Sequence, residues 1–462
     1  MKESLFKEFP EVSAEDWKLR IQKDLRGEDY ERNLIFKTLD EISIQPFYTA
    51  KDVRENKELP PPGSWSISER ILVDSAATGN RQIKEALEKG AESLWLFLSS
   101  KDVDLNVLFE GVELKDVQVF FNLKFLSEEF IDKMNASLKG QKGDFFLQID
   151  PIRQLTKEGN FFFNQKKDFE ILKSIKSRAK GFISSVSVDV SLYQNAGANI
   201  PQQLGYALAH LDEYLHYLSQ KGENLEELQP QFILATGSNY FLEIAKIRAL
   251  RQLFNSLAQT YSIKQPCFIL ASPGTRNKTI YDYNVNLLRT TTECMSAVLG
   301  GVDAVTNLSY DFLFRKESDF GRRISRNQLL ILKHEAYFNK VSNPADGSYY
   351  IESLTSQFID AALKIFEEIK TKGGFLKHLE NGEIQRRIEK SAAREQELFD
   401  KGDLILIGTN KYLNSQEKMH NILEFDPFEN PASKDTLITP IPGRRLSAAK
   451  EQERLKKESI ES

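Results

Sequence analysis

The residues able to carry chemistry are few and scattered. The five histidines are His210, His216, His334, His378 and His420, and none pairs with a Cys, a carboxylate or another His at metal-ligand spacing. No H-E-x-x-H, C-x-x-C, G-x-S-x-G or G-x-x-x-x-G-K-[ST] run occurs. His210 and His216 are six apart and fall on different faces of a helix, so each reads as a surface or packing residue. Cys267 and Cys294 lie far apart in apolar surroundings, as buried free thiols of a reducing cytoplasm do. Gly300-Gly301 fits a tight turn entering a strand as well as it fits phosphate binding.

Short apolar runs at 71–74, 94–98, 117–123, 145–149, 186–190, 232–235, 268–271 and 304–308 must position whatever chemistry exists. They are rich in Val, Ile and Phe, bounded by polar residues, and separated by amphipathic stretches such as 80–90, 127–138, 200–219 and 240–261. Buried parallel strands alternating with helices predict a (β/α)8 TIM barrel, with an open doubly wound sheet as the alternative. In a barrel the chemistry sits at the C-terminal strand ends. Those ends read Asp74-Ser75, Ser99-Ser100, Asn122, Asp150, Ser191, Thr236-Gly237, Ser272-Pro273 and Ser309-Tyr310. Asp74 and Asp150 form an acid pair only if their strand ends face one another; otherwise each caps the following helix. The mouth offers no histidine and no nucleophile with a partner.

Residues 1–62 read as an N-terminal arm: Ser13 caps a helix before Trp17, the chain breaks at Gly27, 34–36 and 42–44 are extended, and Pro60-Pro61-Pro62-Gly63 marks a boundary. Residues 63–412 hold the barrel and a C-terminal helical extension, with helices over 327–337, 354–371 and 384–400 and a short strand at 404–407. Residues 413–462 read as an extended linker ending in a charged, solvated or partner-docking helix at 447–462. A net charge of −5 in 462 residues, with Lys and Arg dispersed, argues against a nucleic-acid or anionic-membrane partner. No run approaches a membrane span, and the N-terminus lacks a secretory apolar core.

Several longer motifs carry a family resemblance. Trp17-Lys18 with Asp24-Leu25-Arg26-Gly27, the helix Glu243-Ile244-Ala245-Lys246-Ile247-Arg248-Ala249-Leu250-Arg251, Arg289-Thr290-Thr291 with Leu299-Gly300-Gly301, the turn Asn343-Pro344-Ala345-Asp346-Gly347-Ser348-Tyr349-Tyr350-Ile351-Glu352, and Gly408-Thr409-Asn410-Lys411-Tyr412 are similar to those of the adenosylcobalamin-dependent acyl-CoA mutases, above all methylmalonyl-CoA mutase. The resemblance implies a TIM barrel and a radical rearrangement of an acyl-CoA thioester, with the protein supplying position, polarisation and shelter from water.

The resemblance fails where the family does its chemistry. The family's W-T-I-R-Q-Y run, just before the first strand, corresponds to Trp65-Ser66-Ile67-Ser68-Glu69-Arg70, so Arg70 holds the tyrosine position and Ser68 the arginine position. The S-G-Y-H-M-Q-E-A-G-A run corresponds to 189–198, so Leu192 holds the histidine position and Ser191 the tyrosine position. Leucine cannot donate a hydrogen bond to a thioester carbonyl, and losing one oriented donor costs about 2.7–4 kcal/mol in comparable sites. No D-x-H-x-x-G cobalamin motif of a flavodoxin-like domain follows. The implied role is a cytoplasmic, non-catalytic small subunit in a heterodimer of propionate metabolism. It has no catalytic, cofactor-binding or metal residues; a large partner binds adenosylcobalamin and the acyl-CoA and interconverts (R)-methylmalonyl-CoA and succinyl-CoA. Two alternatives stand beside it: an active mutase barrel borrowing a separate cobalamin-binding chain, favoured by a polar mouth, and a stand-alone CoA-thioester binding or chaperone module, favoured by an open tunnel. A tunnel filled by Phe, Leu and Tyr favours the small subunit.

Overall fold

In the computed structural model, which describes residues 8, 12–53, 65–316, 318–341, 343–428 and 435–461, the eight apolar runs form eight parallel strands. These are β1 (Ser66–Val73), β2 (Ser93–Leu98), β3 (Gln118–Leu123), β4 (Asp144–Gln148), β5 (Ser187–Asp189), β6 (Gln231–Thr236), β7 (Phe268–Pro273) and β8 (Ala304–Thr306). The ladders run β4-β3-β2-β1-β8-β7-β6-β5. A parallel bridge from Phe146 to Ser184 closes the ring, with Ile183 N donating to Phe145 O at 2.8 Å and Leu147 N to Ser184 O at 2.9 Å. An open sheet would leave β4 and β5 as unpaired edges. The chain is therefore a (β/α)8 barrel.

Side-chain alternation sorts each strand into two faces. Val119, Phe121, Leu147 and Val188 point outward into the large core beneath the helices. Trp95, Phe120, Phe146, Ile233, Phe268 and Leu270 point inward and form a separate core. The helices start where the sequence supplies caps: Ser75 accepts from Thr78 N at 3.2 Å, and Asp150 accepts from Arg153 N at 2.8 Å with Pro151 in the first turn.

The structure corrects four expectations. The run from Trp65 to Arg70 does not precede the first strand; from Ser66 onward it is the strand. Buried Glu69, paired to Arg326 at 3.0 Å, conceals the apolar alternation of Ile67 and Ile71. The helix expected over 327–337 begins earlier, as Asp319–Leu330, and ends in a π-helical turn, Ile331–Glu335. Residues 404–407 form no strand; Ile407 makes one isolated bridge to Lys411. The terminal helix Ala448–Glu461 is solvated on one face only; the other docks on its own barrel. Buried Glu451 accepts from Ile280 N at 2.9 Å, and buried Glu458 accepts from Tyr281 Oη at 2.8 Å. Upstream of it, the segment around 437–446 crosses the C-terminal face: Ile441 N donates to Thr156 O, Arg444 N to Asn195 O and Leu446 N to Arg276 O.

The arm has the expected Ser13-capped helix, Ala14–Asp24, and a two-residue antiparallel ladder between Phe36–Lys37 and Ser43–Ile44. None of that helix's residues is buried, and Trp17 and Leu19 are 56% and 63% exposed. The boundary placed at Pro60–Gly63 lies outside the described residues. Among the described residues no helix is long and apolar enough to cross a membrane.

Candidate functional site

The barrel axis is filled. Phe120 of β3 and Phe268 of β7 come from strands four apart on an eight-strand ring, hence from opposite walls, yet their ring centroids are 5.3 Å apart. Phe146 bridges them at 4.8 and 4.6 Å, and Trp95 lies tilted against Phe97 at 4.7 Å. Above this plug the Trp95 indole donates to Gln148 Oε1 at 2.6 Å, Asn122 donates to the same oxygen at 3.2 Å, and Gln148 Nε2 reaches Gln231. Below it, Ser66 Oγ lies 3.1 Å from Ser93 Oγ and 2.8 Å from Gln118 Oε1. Among the described residues these aromatic and amide layers fill the barrel axis.

At the mouth, Asp150 organises a buried network. Its Oδ1 accepts from Tyr214 Oη at 2.6 Å and meets His210 Nε2 at 2.8 Å; its Oδ2 accepts from Asp189 N at 2.8 Å. With its proton on Nε2, His210 donates to Asp150 and accepts the Tyr193 hydroxyl at Nδ1, 2.9 Å away. Burial pushes Asp150 up, but His210, Tyr214 and the Asp189 amide outweigh it and hold the carboxyl below its usual range. Burial, helped by the Asp150 charge, pushes the Tyr193 and Tyr214 phenols well above theirs. His210 is fully buried, so the network pins helix Ile200–Gln220 to the end of β4 and presents no base to a ligand. Asp74 is exposed at the end of β1; Asp150 is engaged elsewhere, and the two form no acid pair.

The residues at the two family positions do not converge on a cavity. Leu192 packs into the outer core from the short helix Ser191–Ala196. Ser191 donates to Asp189, whose other oxygen takes Arg153 Nε at 2.5 Å. Arg70 points inward from β1 and lies 4.9 Å over the Phe97 ring. Two cavities flank this region, each of about 20 Å³: one lined by Asn122, Lys124, Gln148, Asp150, Arg153 and Asp189 among others, the other by Ser68, Arg70, Thr306 and Arg326 among others. That is room for one water, against about 300–1,000 Å³ for a small-molecule pocket.

Sequence reasoning missed the cations of the mouth. Lys124 follows the last residue of β3 and lies 5.3 Å from the face of Phe97, and Arg153 sits one turn past Asp150. The available signal was position: a residue at a strand end or in the next helical turn faces the mouth whatever its type. The plug was also visible as doublets, Phe120-Phe121 and Phe145-Phe146, which place aromatics on both faces of a strand. The cysteines are buried free thiols as expected; burial pushes Cys267 up to about 12.

Family-like polar residues serve the scaffold. Lys246, fully buried, pairs with Glu243 at 2.5 Å and donates to Ala235 O at 2.7 Å. Arg248 bonds Asp346 and Glu352, and Arg251 bonds Gly301 O and Asp303. Such pairs clamp the helical extension to the closed (β/α)8 barrel. The sequence model of the family "Methylmalonyl-CoA mutase" matches residues 98–457, and the chain belongs to this family. It is 34% identical to the methylmalonyl-CoA mutase small subunit of Porphyromonas gingivalis, over 90% of this chain and 72% of that one. It is 31% identical to the methylmalonyl-CoA mutase small subunit of Streptomyces virginiae (83% and 68%) and 27% identical to the mitochondrial methylmalonyl-CoA mutase of Homo sapiens (89% and 62%).

Proposed function

We propose that this chain is the non-catalytic small subunit of a heterodimeric, cytoplasmic methylmalonyl-CoA mutase. It supports a large adenosylcobalamin-dependent subunit that interconverts (R)-methylmalonyl-CoA and succinyl-CoA in propionate metabolism. The observation that carries this reading is the filled barrel axis: rings from opposite walls touch where a thioester arm would have to thread. Arg70 and Leu192, at the tyrosine and histidine positions of the resemblance, add no donor aimed at a thioester carbonyl. In support of a cofactor held by the partner, His210 is fully buried and bonded on both nitrogens, and the two mouth cavities among the described residues hold about one water each. No step of the rearrangement is assigned to this chain. Two similar chains bear the name small subunit, which agrees with this role. The exposed arm helix, with Trp17 and Leu19 outward, is the segment we assign to the large subunit.

The test is a mutase assay with adenosylcobalamin and methylmalonyl-CoA on the purified chain alone and with its large partner. Activity confined to the pair is expected. Turnover by this chain alone would overturn the reading and revive the active-barrel alternative.

A further inference from the structure

We propose that the rim of the barrel mouth binds an oxyanion, a phosphate or carboxylate group, between Arg70, Lys124 and Arg153. The three cations come from three different elements: β1, the residue after β3, and the helix Pro151–Glu158. Arg70 and Lys124 both lie over the Phe97 ring, at 4.9 and 5.3 Å, so the two charges share one small platform. Among the described residues Lys124 has no hydrogen-bonded or ion-paired side-chain partner; part of its side chain reaches solvent, while the mouth residues packed around it desolvate the rest. The two carboxylates that line the cavity beside Lys124 are committed: Asp189 to Arg153 and Ser191, and Asp150 to His210 and Tyr214. Lys157, on the same helix as Arg153, adds a further positive charge.

The crowding has an electrostatic signature. Desolvation at the mouth, then Arg153, Lys157 and Arg70, outweigh the attraction of Asp189 and hold the Lys124 ammonium down at about 7. The like charges of Arg153, Lys157 and Arg70 that repel the ammonium attract an anion, and by linkage an anion held there favours the protonated form of Lys124. The cavity beneath has room for only one water, so the oxyanion sits at the rim, and its carrier extends into solvent.

The experiment is calorimetric titration of the purified chain with pyrophosphate, inorganic phosphate and succinate, at low ionic strength and neutral pH. Saturable binding is expected. K124Q should weaken it about five- to ten-fold, as expected for one charge-assisted contact at an open rim. K133A, on an outer helix and paired to Glu129, should leave it unchanged. Tighter pyrophosphate than succinate assigns a phosphate carrier; the reverse assigns a carboxylate. In parallel, the Lys124 signal of reductively ¹³C-methylated chain should titrate at higher pH with the anion present. No saturable binding, equal binding by wild type and K124Q, or a Lys124 titration unmoved by the anion overturns the proposal.

Discussion

The helix Tyr240–Thr260 and the barrel mouth use polar residues in opposite ways. On the helix, Glu243, Lys246, Arg248 and Arg251 turn inward or toward neighbouring segments, and each finds a partner in the chain itself. At the mouth, Arg70 and Lys124 gather around Phe97, Lys124 without an acceptor among the described residues, while Leu192 has gone into the apolar core. The first arrangement makes the fold depend on its polar groups. The second leaves the Lys124 ammonium able to meet something outside the chain. Residues that hold a barrel together and residues that face a ligand are thus physically separable, even when one sequence resemblance covers both.

Lys246→Ala should show the largest effect, because it leaves Glu243 buried without its counter-charge. Breaking such a pair costs about 3–5 kcal/mol, read as a lowered urea midpoint. A loss under about 1 kcal/mol would mean that the helix does not depend on the pair, and the contrast with the mouth would fail. Phe146→Ala tests the plug at nearly the same scale: about 3–5 kcal/mol from lost transfer energy and the cavity left behind. The double variant R70Y/L192H should restore no mutase turnover in the chain alone, since the axis stays filled. For the arm, Trp17→Ala with Leu19→Ala should leave the unfolding midpoint within about 0.5 kcal/mol. It should also weaken capture of the large subunit about ten-fold or more in a binding assay.

The smallest effect expected is one of pH. Burial raises the Asp40 carboxyl, which accepts from Ile200 N at 2.7 Å, to about 6. An unfolded aspartate titrates near 4. Between these values the folded state binds more protons, so stability from this group grows as pH falls from about 6 to about 4. Asp150, held low, has the opposite sign: its contribution is present above about 4 and is lost as pH falls through its folded value. Asp40→Asn should flatten the profile between pH 6 and 4 and leave the acid loss below it, measured as urea midpoint against pH.

Much of the barrel is legible from runs of Val, Ile and Phe, because strands buried on both faces need apolar residues throughout. The first strand was only half legible, since Glu69 and Arg70 interrupt it and their roles depend on Arg326 and Phe97, which come from distant parts of the chain. His210 read as a packing residue, but its partners Asp150 and Tyr193 lie 60 and 17 positions away. The terminal helix read as solvated because its acids look like surface acids. Only docking shows Glu451 and Glu458 accepting backbone and phenolic donors.

By itself the sequence determined the strand and helix periodicity, the caps at Ser13 and Asp150, and the motifs shared with the mutase family, all of which depend on residues close together along the chain. Tertiary structure alone decided that the ring closes, that rings from opposite walls fill its axis, and that Arg70, Lys124 and Arg153 share a rim. Each of those outcomes depends on side chains that meet only once eight strands have curved into a barrel, and no local pattern carries that distance.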